Sequence, residues 1–290
     1  MIDASQMLEK LASLRPLPAT AHRLLQVAND PEAGPDAVAK AIGHDVALTA
    51  NVLRAANSAY YGYVRQVSSV SEATLRLGSD WVKHMALSSI LYNSVRHPAA
   101  GYCQSADDTW RHSAAVAITC ENLCQLLGTR CSGTLYTAAL VHDMGKLALD
   151  EYVSQEYEQI ERKVLEDQLS FVEAERAVLG MDHAEVGALL AERWQFPDDL
   201  ILAIRWHHEP DRSAAVNVAV DLVHVADALC MMQGIGLGID ALLYRPSAQS
   251  VQRLGLTNAL FDQAVSRLLD GLERLDAALS GPPVAMAERK

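Results

Sequence analysis

The chain lacks any uncharged apolar run of the ~18 residues needed to cross a bilayer, and its first residues, Met1-Ile2-Asp3-Ala4-Ser5-Gln6, hold neither a basic segment nor an apolar one. A membrane role is therefore excluded from the reading, and a cytoplasmic protein is expected. No C-x-x-C pair occurs, and the five cysteines (Cys103, Cys120, Cys124, Cys131, Cys230) are odd in number, which argues against a disulfide framework and against a thiolate zinc site. Cys120 and Cys124 stand four apart on one helical face and read as small packing residues. There is no run of Lys or Arg, and the net charge is 24 − 36 = −12, so a sequence-independent grip on nucleic acid has nothing to rest on. Alternating Val, Ile, Tyr or Thr stretches are also missing.

What is present is helical periodicity. Half of the 290 residues are hydrophobic, enough for a large core, and they recur at three- and four-residue intervals almost throughout. The fold class is all-α. A short first helix carries Met7, Leu8 and Leu11, Leu14-Arg15-Pro16-Leu17-Pro18 forms an elbow, and Pro18 opens a helix that stops at Asn29. Pro35, Asp45, the pair Ser69 and Glu72, and Ser79 read as further helix starts, with Gly62 in a loop. Asp107 or Asp108 starts a long helix to Gly128, and Ser132 caps one expected to run through His142 and Asp143. A polar helix spans 156 to 166, and Ser170/Glu173 and Asp182/Glu185 read as capping boxes. Helices then lead into His207-His208, from Ala214 to Met232, and from Asn258 to Leu279, before a frayed tail from Gly281. The division expected is an N-terminal helical lobe (1–100), a second helical lobe (101–235) and a C-terminal extension (236–290).

The stretch Val141-His142-Asp143-Met144-Gly145-Lys146 places an imidazole, a carboxylate and an ammonium inside an apolar run, where such groups are costly unless paired or bound to metal. An Asp143–Lys146 salt bridge alone would account for it. Of the ten histidines, however, His112, His142, His183, His207 and His208 all fall after residue 110, accompanied by Asp108, Asp143 and Asp227. Asp108 and His112 are four apart and share a face if the helix begins at or before Asp108; Asp227 stands among Val225, Ala226, Ala228 and Leu229 and wants a cation. The remaining histidines, His22, His44, His84, His97 and His224, read as ordinary core or surface groups, His224 with least security because Asp227 is three residues on.

The motifs Trp110-Arg111-His112-Ser113, His142-Asp143-Met144-Gly145-Lys146, Asp182-His183-Ala184-Glu185, Trp206-His207-His208-Glu209-Pro210 and Val225-Ala226-Asp227 resemble the HD superfamily of metal-dependent phosphohydrolases. Leu14-Arg15-Pro16-Leu17-Pro18, Asp45-Val46-Ala47-Leu48, Arg54-Ala55-Ala56-Asn57-Ser58-Ala59-Tyr60-Tyr61-Gly62 and Glu72-Ala73-x-x-Arg76-Leu77-Gly78 narrow the resemblance to the HDOD family of bacterial signalling proteins. The resemblance implies an output or regulatory module whose second lobe is an HD-like helical bundle, with a protein partner in a signalling pathway. It implies a minimal ligand set of His112, His142, Asp143 and Asp227, extended by His183, His207 and His208 as in the HD-GYP branch, with Asp108 where that branch has glutamate. Members of the HDOD family commonly lack part of this set. The Gly-Tyr-Pro signature is absent after His208, where the chain runs Glu209-Pro210-Asp211-Arg212.

A His/carboxylate set without thiolate suits one or two divalent ions, iron or manganese first and magnesium, nickel or zinc after them. Hydrolysis of a phosphoester or nucleotide is the alternative function, with Asp143 and Lys146 as the catalytic pair. A second alternative is DNA binding by a helix-turn-helix over 36 to 57, with Ala39 and Gly43 at suitable spacing and Asn51, Arg54 and Asn57 to read bases. The acidic charge disfavours it.

Overall fold

The computed structural model describes residues 19–30, 32–43, 45–57, 66–236 and 244–279, together with Met7 and Glu9. Among them there is no β-strand, and the chain runs as α1 (Ala19–Asn29), α2 (Pro35–Gly43), α3 (Val46–Ala56), α4 (Val70–Leu77), α5 (Ser79–Val95), α6 (Ala106–Leu126), α7 (Gly133–Val141), α8 (Lys146–Leu165), α9 (Phe171–Leu179), α10 (His183–Arg193), α11 (Asp198–Trp206), α12 (Val218–Met232), α13 (Ala248–Arg253) and α14 (Asn258–Leu279). Expectations for the elbow at 14–18, the loop at Gly62 and the tail from Gly281 lie outside the described residues.

Helix starts follow the side chains that can satisfy the orphan amides of a first turn. The Asp45 carboxylate accepts from Leu48 N–H, the Ser132 hydroxyl from Leu135 N–H, and Ser170 and Glu173 close a reciprocal box. Three details differ from the sequence reading. Ser105, not Asp107 or Asp108, caps α6, and Asp108 completes its capping box. Ser79 is the first residue of α5 rather than its cap, because Gly78 holds φ 92 there, a conformation glycine adopts without strain. Asp182 accepts from Glu185 N–H with one oxygen and from Arg176 with the other, and it caps α10 without the reciprocal Glu185 half of a capping box.

The long helix α6 is the spine. It packs on α7, α12 and α14, while α11 joins α7, α10 and α12, and α1 and α5 lean on α7. One continuous cluster of buried apolar side chains extends from Met7 through Leu24, Leu87, Leu123, Leu140 and Leu190 to Leu272. Cys120 and Cys124 are buried within it, and the Cys120 thiol donates to Leu222 O at 3.5 Å, which is the packing role expected of them.

The helix-turn-helix alternative fails on its recognition face. The Asn57 side chain is spent on both backbone groups of Val67 (2.9 and 2.7 Å), Arg54 donates to Asn51 Oδ1 (2.8 Å), and α3 packs against α14.

Candidate metal centre

The expectation that His142 and Asp143 lie within a helix is corrected. Helix α7 ends at Val141, residues 142–145 form turns, and α8 starts at Lys146, ten residues before the polar segment at 156. The cause is a close approach: a Cβ at Gly145 would stand 1.9 Å from His183 O and 2.6 Å from Gly187 N, so only glycine lets this turn sit against the start of α10. The turn thereby brings Asp143 alongside His183.

Four of the histidines are held with Nδ1 turned outward and Nε2 turned inward. His142, closing α7, donates Nδ1–H to Ala139 O (2.8 Å), and His207, closing α11, donates to Ile204 O (2.6 Å), so two helix ends repeat one device. His112 on α6 donates to Ile235 O (3.2 Å). His183 at the head of α10 donates to Glu175 Oε2 (2.7 Å), whose oxygen also accepts the His183 backbone N–H (3.1 Å). His208 presents Nε2 2.8 Å from His183 Nε2. Two ligand-type groups result, Asp143 with His183, His207 and His208, and His112 with His142 and Asp227; within each, the candidate atoms lie within 4.8 Å of one another. Asp143 stands between them. Its Oδ1 is 3.2 Å from His183 Nε2 and 3.8 Å from His207 Nε2, while its Oδ2 is 3.6 Å from both His112 and His142 Nε2 and 2.7 Å from Lys146 Nζ.

Five atoms of this cluster are buried without a hydrogen-bond partner: Nε2 of His142 and of His207, Nδ1 of His208, and both carboxylate oxygens of Asp227. Unpaired buried polar atoms are costly, and the Asp227 oxygens and the Nε2 of His142 and His207, whose Nδ1–H groups already donate to backbone carbonyls, have lone pairs to offer. The donor set therefore fits a divalent cation. Burial holds the His207 imidazole down to about 3 and pulls those of His208 and His142 below the ordinary range, so they remain neutral and ready to ligate. Burial alone would raise both carboxylates, but Lys146 with His142 and His183 outweighs it at Asp143, which stays well below the carboxylate range, and His112, His142 and His207 outweigh it at Asp227, which stands at about 2. For His183, burial pulls down, yet Glu175 and Asp143 prevail and push it up to about 10.

These opposed shifts set a pH dependence for protein held metal-free by chelator. The unfolded chain protonates His207 near ~6.5 while the folded one resists until about 3, so stability falls as pH drops below ~6.5. The contribution of His183 is full below ~6.5 and is lost as pH rises through about 10. Urea midpoints measured below, near and above neutrality in chelator should therefore peak near neutrality; a midpoint independent of pH would contradict the arrangement.

Of the eight ligand candidates, Asp108 is the one the fold sets apart. Its carboxylate is exposed and accepts from the backbone and hydroxyl of Ser105 (3.0 and 2.6 Å), because a capping box claims a carboxylate at the third helical position. His224 is buried and structural: it donates to His207 O (2.6 Å) and accepts from Ser247 N–H (2.8 Å), thereby bracing the His207 backbone.

Two supporting groups escaped the sequence reading. Glu175 is fully buried and also receives the Tyr102 hydroxyl, whose ring lies beneath Lys146 Nζ at 5.3 Å. A glutamate in line with the buried Phe171 and Leu179, four residues away on either side, is the signal that marks it. Gly236 is the second. At φ 87 it abuts His112, where a Cβ would stand 2.2 Å from Nδ1. Because Glu175 fixes both tautomer and ring plane of His183, Glu175→Gln should weaken metal binding by about 10–100-fold, read by competition with a chromogenic chelator. Unchanged affinity would deny it that role. Outward from the ligands an open cavity of about 250 Å³ is lined by Tyr102, Lys146, Phe171 and Tyr244.

The all-helical bundle gathers buried His and carboxylate groups from five helices and their turns into a cluster that could hold a divalent cation. The chain belongs to the HDOD domain family, whose family model matches residues 14–210. Among solved structures, an HDOD domain protein of Geobacter sulfurreducens has a similar fold (24% identity, 95% of this chain and 99% of that one, TM-score 0.75). A candidate phosphohydrolase of Shewanella amazonensis SB2B is 26% identical over 94% of this chain and 97% of its own (TM-score 0.69). A candidate signal transduction protein of Marinobacter aquaeolei VT8 is 25% identical, covering 95% of this chain and 65% of that one (TM-score 0.72). A curated relative, an uncharacterized protein of Treponema pallidum, is 26% identical over 219 residues; the match spans 71% of this chain and 39% of that protein's length. No helix of the described residues is long and apolar enough to cross a membrane.

Proposed function

We propose that this chain is an output or regulatory module of signal transduction that retains a divalent-metal centre, held by His112, His142, Asp143, His183, His207, His208 and Asp227. The five partnerless buried atoms carry the metal reading, since a fold that had abandoned the ion would be under pressure to pair or replace them. The signalling role is supported by membership of the family and by the likeness to the Marinobacter protein. Iron or manganese suits nitrogen and carboxylate donors without thiolate. The protein partner docks on the N-terminal helices, α1 to α5. Protein purified without chelator should contain about one to two equivalents of iron or manganese by elemental analysis, and a partner captured from lysate should be lost on deleting the segment through α5 but kept in Asp143→Ala. A stably folded protein that carries no metal although purified without chelator would refute the centre, and a partner insensitive to that deletion would refute the docking role.

Phosphoester hydrolysis is the second reading. It is favoured by Lys146, whose ammonium lines the open cavity beside Asp143 and offers a cation to a phosphoryl group, and by the likeness to the Shewanella protein. A bound ion would supply Lewis acidity and a lowered water pKa there. Within this reading Asp143 and the histidines hold and orient, and Lys146 neutralises charge. Hydrolysis of generic phosphomono- and diesters by wild-type protein but not by Lys146→Met would establish it; equal rates would assign the activity to a contaminant.

A further inference from the structure

The His207–His208 turn faces Asp227 of α12 across the cluster: His208 Nδ1 and Asp227 Oδ2 are 3.9 Å apart, and neither atom has a hydrogen-bond partner. The ligand atoms therefore do not fix the distance between these two pieces of chain. It is fixed behind them, by α13. Arg253, at the end of that helix, spans both pieces. Its Nη1 donates to Asp211 Oδ1 (2.9 Å) in the short turn Pro210–Arg212 that follows His208, while its Nε and Nη2 grip Asp221 of α12 at 2.8 Å (Oδ2) and 2.5 Å (Oδ1). Ser247, which caps α13, repeats the bridge. Its Oγ donates to Asp211 Oδ2 (2.7 Å) and its N–H to His224 Nε2 (2.8 Å), and the His224 Nδ1–H donates in turn to His207 O (2.6 Å). The buried Ser250 adds a hydrogen bond from Oγ to Asp221 Oδ1 (2.6 Å).

The anchors of this clamp tie it to the site. Asp211 stands three residues after His208, and Asp221, His224 and Asp227 follow one another at three-residue intervals along α12. Asp221 is 1% exposed, so its charge depends on the Arg253 guanidinium. That group is planar and carries its donors in a rigid fork, so that holding two carboxylates at once also fixes the angle between them. The Arg130–Asp80 pair is a contrast, since both of its groups are well exposed and it ties α5, which holds no candidate ligand, to the loop before α7. A ligand set holds its ion within about ±0.2 Å of the preferred distances, and partners that orient ligands change affinity by about 10–100-fold.

We propose that Arg253 is a positioning residue of the metal centre: through Asp211 and Asp221 it sets the spacing between His207–His208 and Asp227, and with it the geometry in which the two ligand groups take a divalent ion. The inference rests on the metal reading of those ligands. It carries the functional unit past residue 210, where the family match ends, to α13.

The test is titration of the chelator-stripped full chain with manganese by calorimetry and with cobalt(II) by visible absorption, in wild type, Arg253→Met, Asp211→Ala and the control Arg130→Met. Manganese affinity lower by about tenfold or more in Arg253→Met and Asp211→Ala, with a cobalt band at saturation that differs from wild type, supports the proposal, provided that Arg130→Met keeps both wild-type properties. The cobalt band reports coordination geometry, which a general loss of stability would leave unchanged once the site is full. If Arg253→Met does not fold, Asp211→Ala, at a carboxylate 36% exposed, decides by the same two readings. Wild-type affinity in the Arg253 and Asp211 variants, lower affinity with the wild-type cobalt band, or equal losses in Arg130→Met would each overturn the positioning role while leaving the metal centre standing. Absence of binding by wild type would overturn the metal reading itself, and this inference with it.

Discussion

Gly145→Ala should destabilise the protein by roughly 4 kcal/mol or more, an effect reserved for substitutions that break a packing constraint outright. The added Cβ would meet two backbone atoms, His183 O at 1.9 Å and Gly187 N at 2.6 Å, neither of which can swing aside as the tip of a flexible side chain would. Helix α10 must therefore back away from the turn at 142–145 by more than 1 Å, by comparison with the ~3.5 Å at which such atoms rest. The same movement separates Asp143 from His183, now 3.2 Å apart. Urea unfolding and elemental analysis of the variant check both halves: a midpoint and metal content equal to wild type would show that the two backbones are not in the contact described.

Asp143→Ala should abolish stoichiometric metal binding, lowering affinity by more than the about 100-fold that bounds the loss of a supporting residue. Asp143 turns Oδ1 to His183 and Oδ2 to His142, one in each ligand group, and its removal also leaves the Lys146 ammonium without its 2.7 Å partner. The control is Asp108→Ala. Because Asp108 serves a capping box at the start of α6, that variant should lose about 0.5–2 kcal/mol of stability and keep its metal. The reverse pattern, metal lost with Asp108 and retained without Asp143, would invalidate the centre as drawn. Isothermal titration of chelator-stripped protein with manganese distinguishes the two.

Much of this is legible in the sequence. Helical periodicity and capping residues such as Asp45, Ser132 and Ser170 place helices closely, because both signals are local and are settled within a turn or two of chain. The candidate ligands that the fold gathers were legible too, since His, His-Asp, His-His and Asp recur in apolar surroundings where an ionisable group needs a partner. Asp108 misled for a related reason: a carboxylate four residues before a histidine fits a ligand pair and a capping box equally well, and only the position of the helix start chooses between them.

The break in the chain at His142 was not legible. Gly145 has an ordinary helical φ of −63 and no proline stands nearby, so nothing local ends the helix; its glycine is required by α10, which is distant in sequence. Glu175 beneath His183 and Gly236 against His112 likewise depend on what other parts of the chain bring to them. By itself the sequence determined the fold class, the helices and the identity of the metal-type side chains. Tertiary structure alone decided that Asp143 sits between two histidine groups and that Asp108 does not join them, because each of these turns on contacts between residues whose separation along the chain carries no local signal.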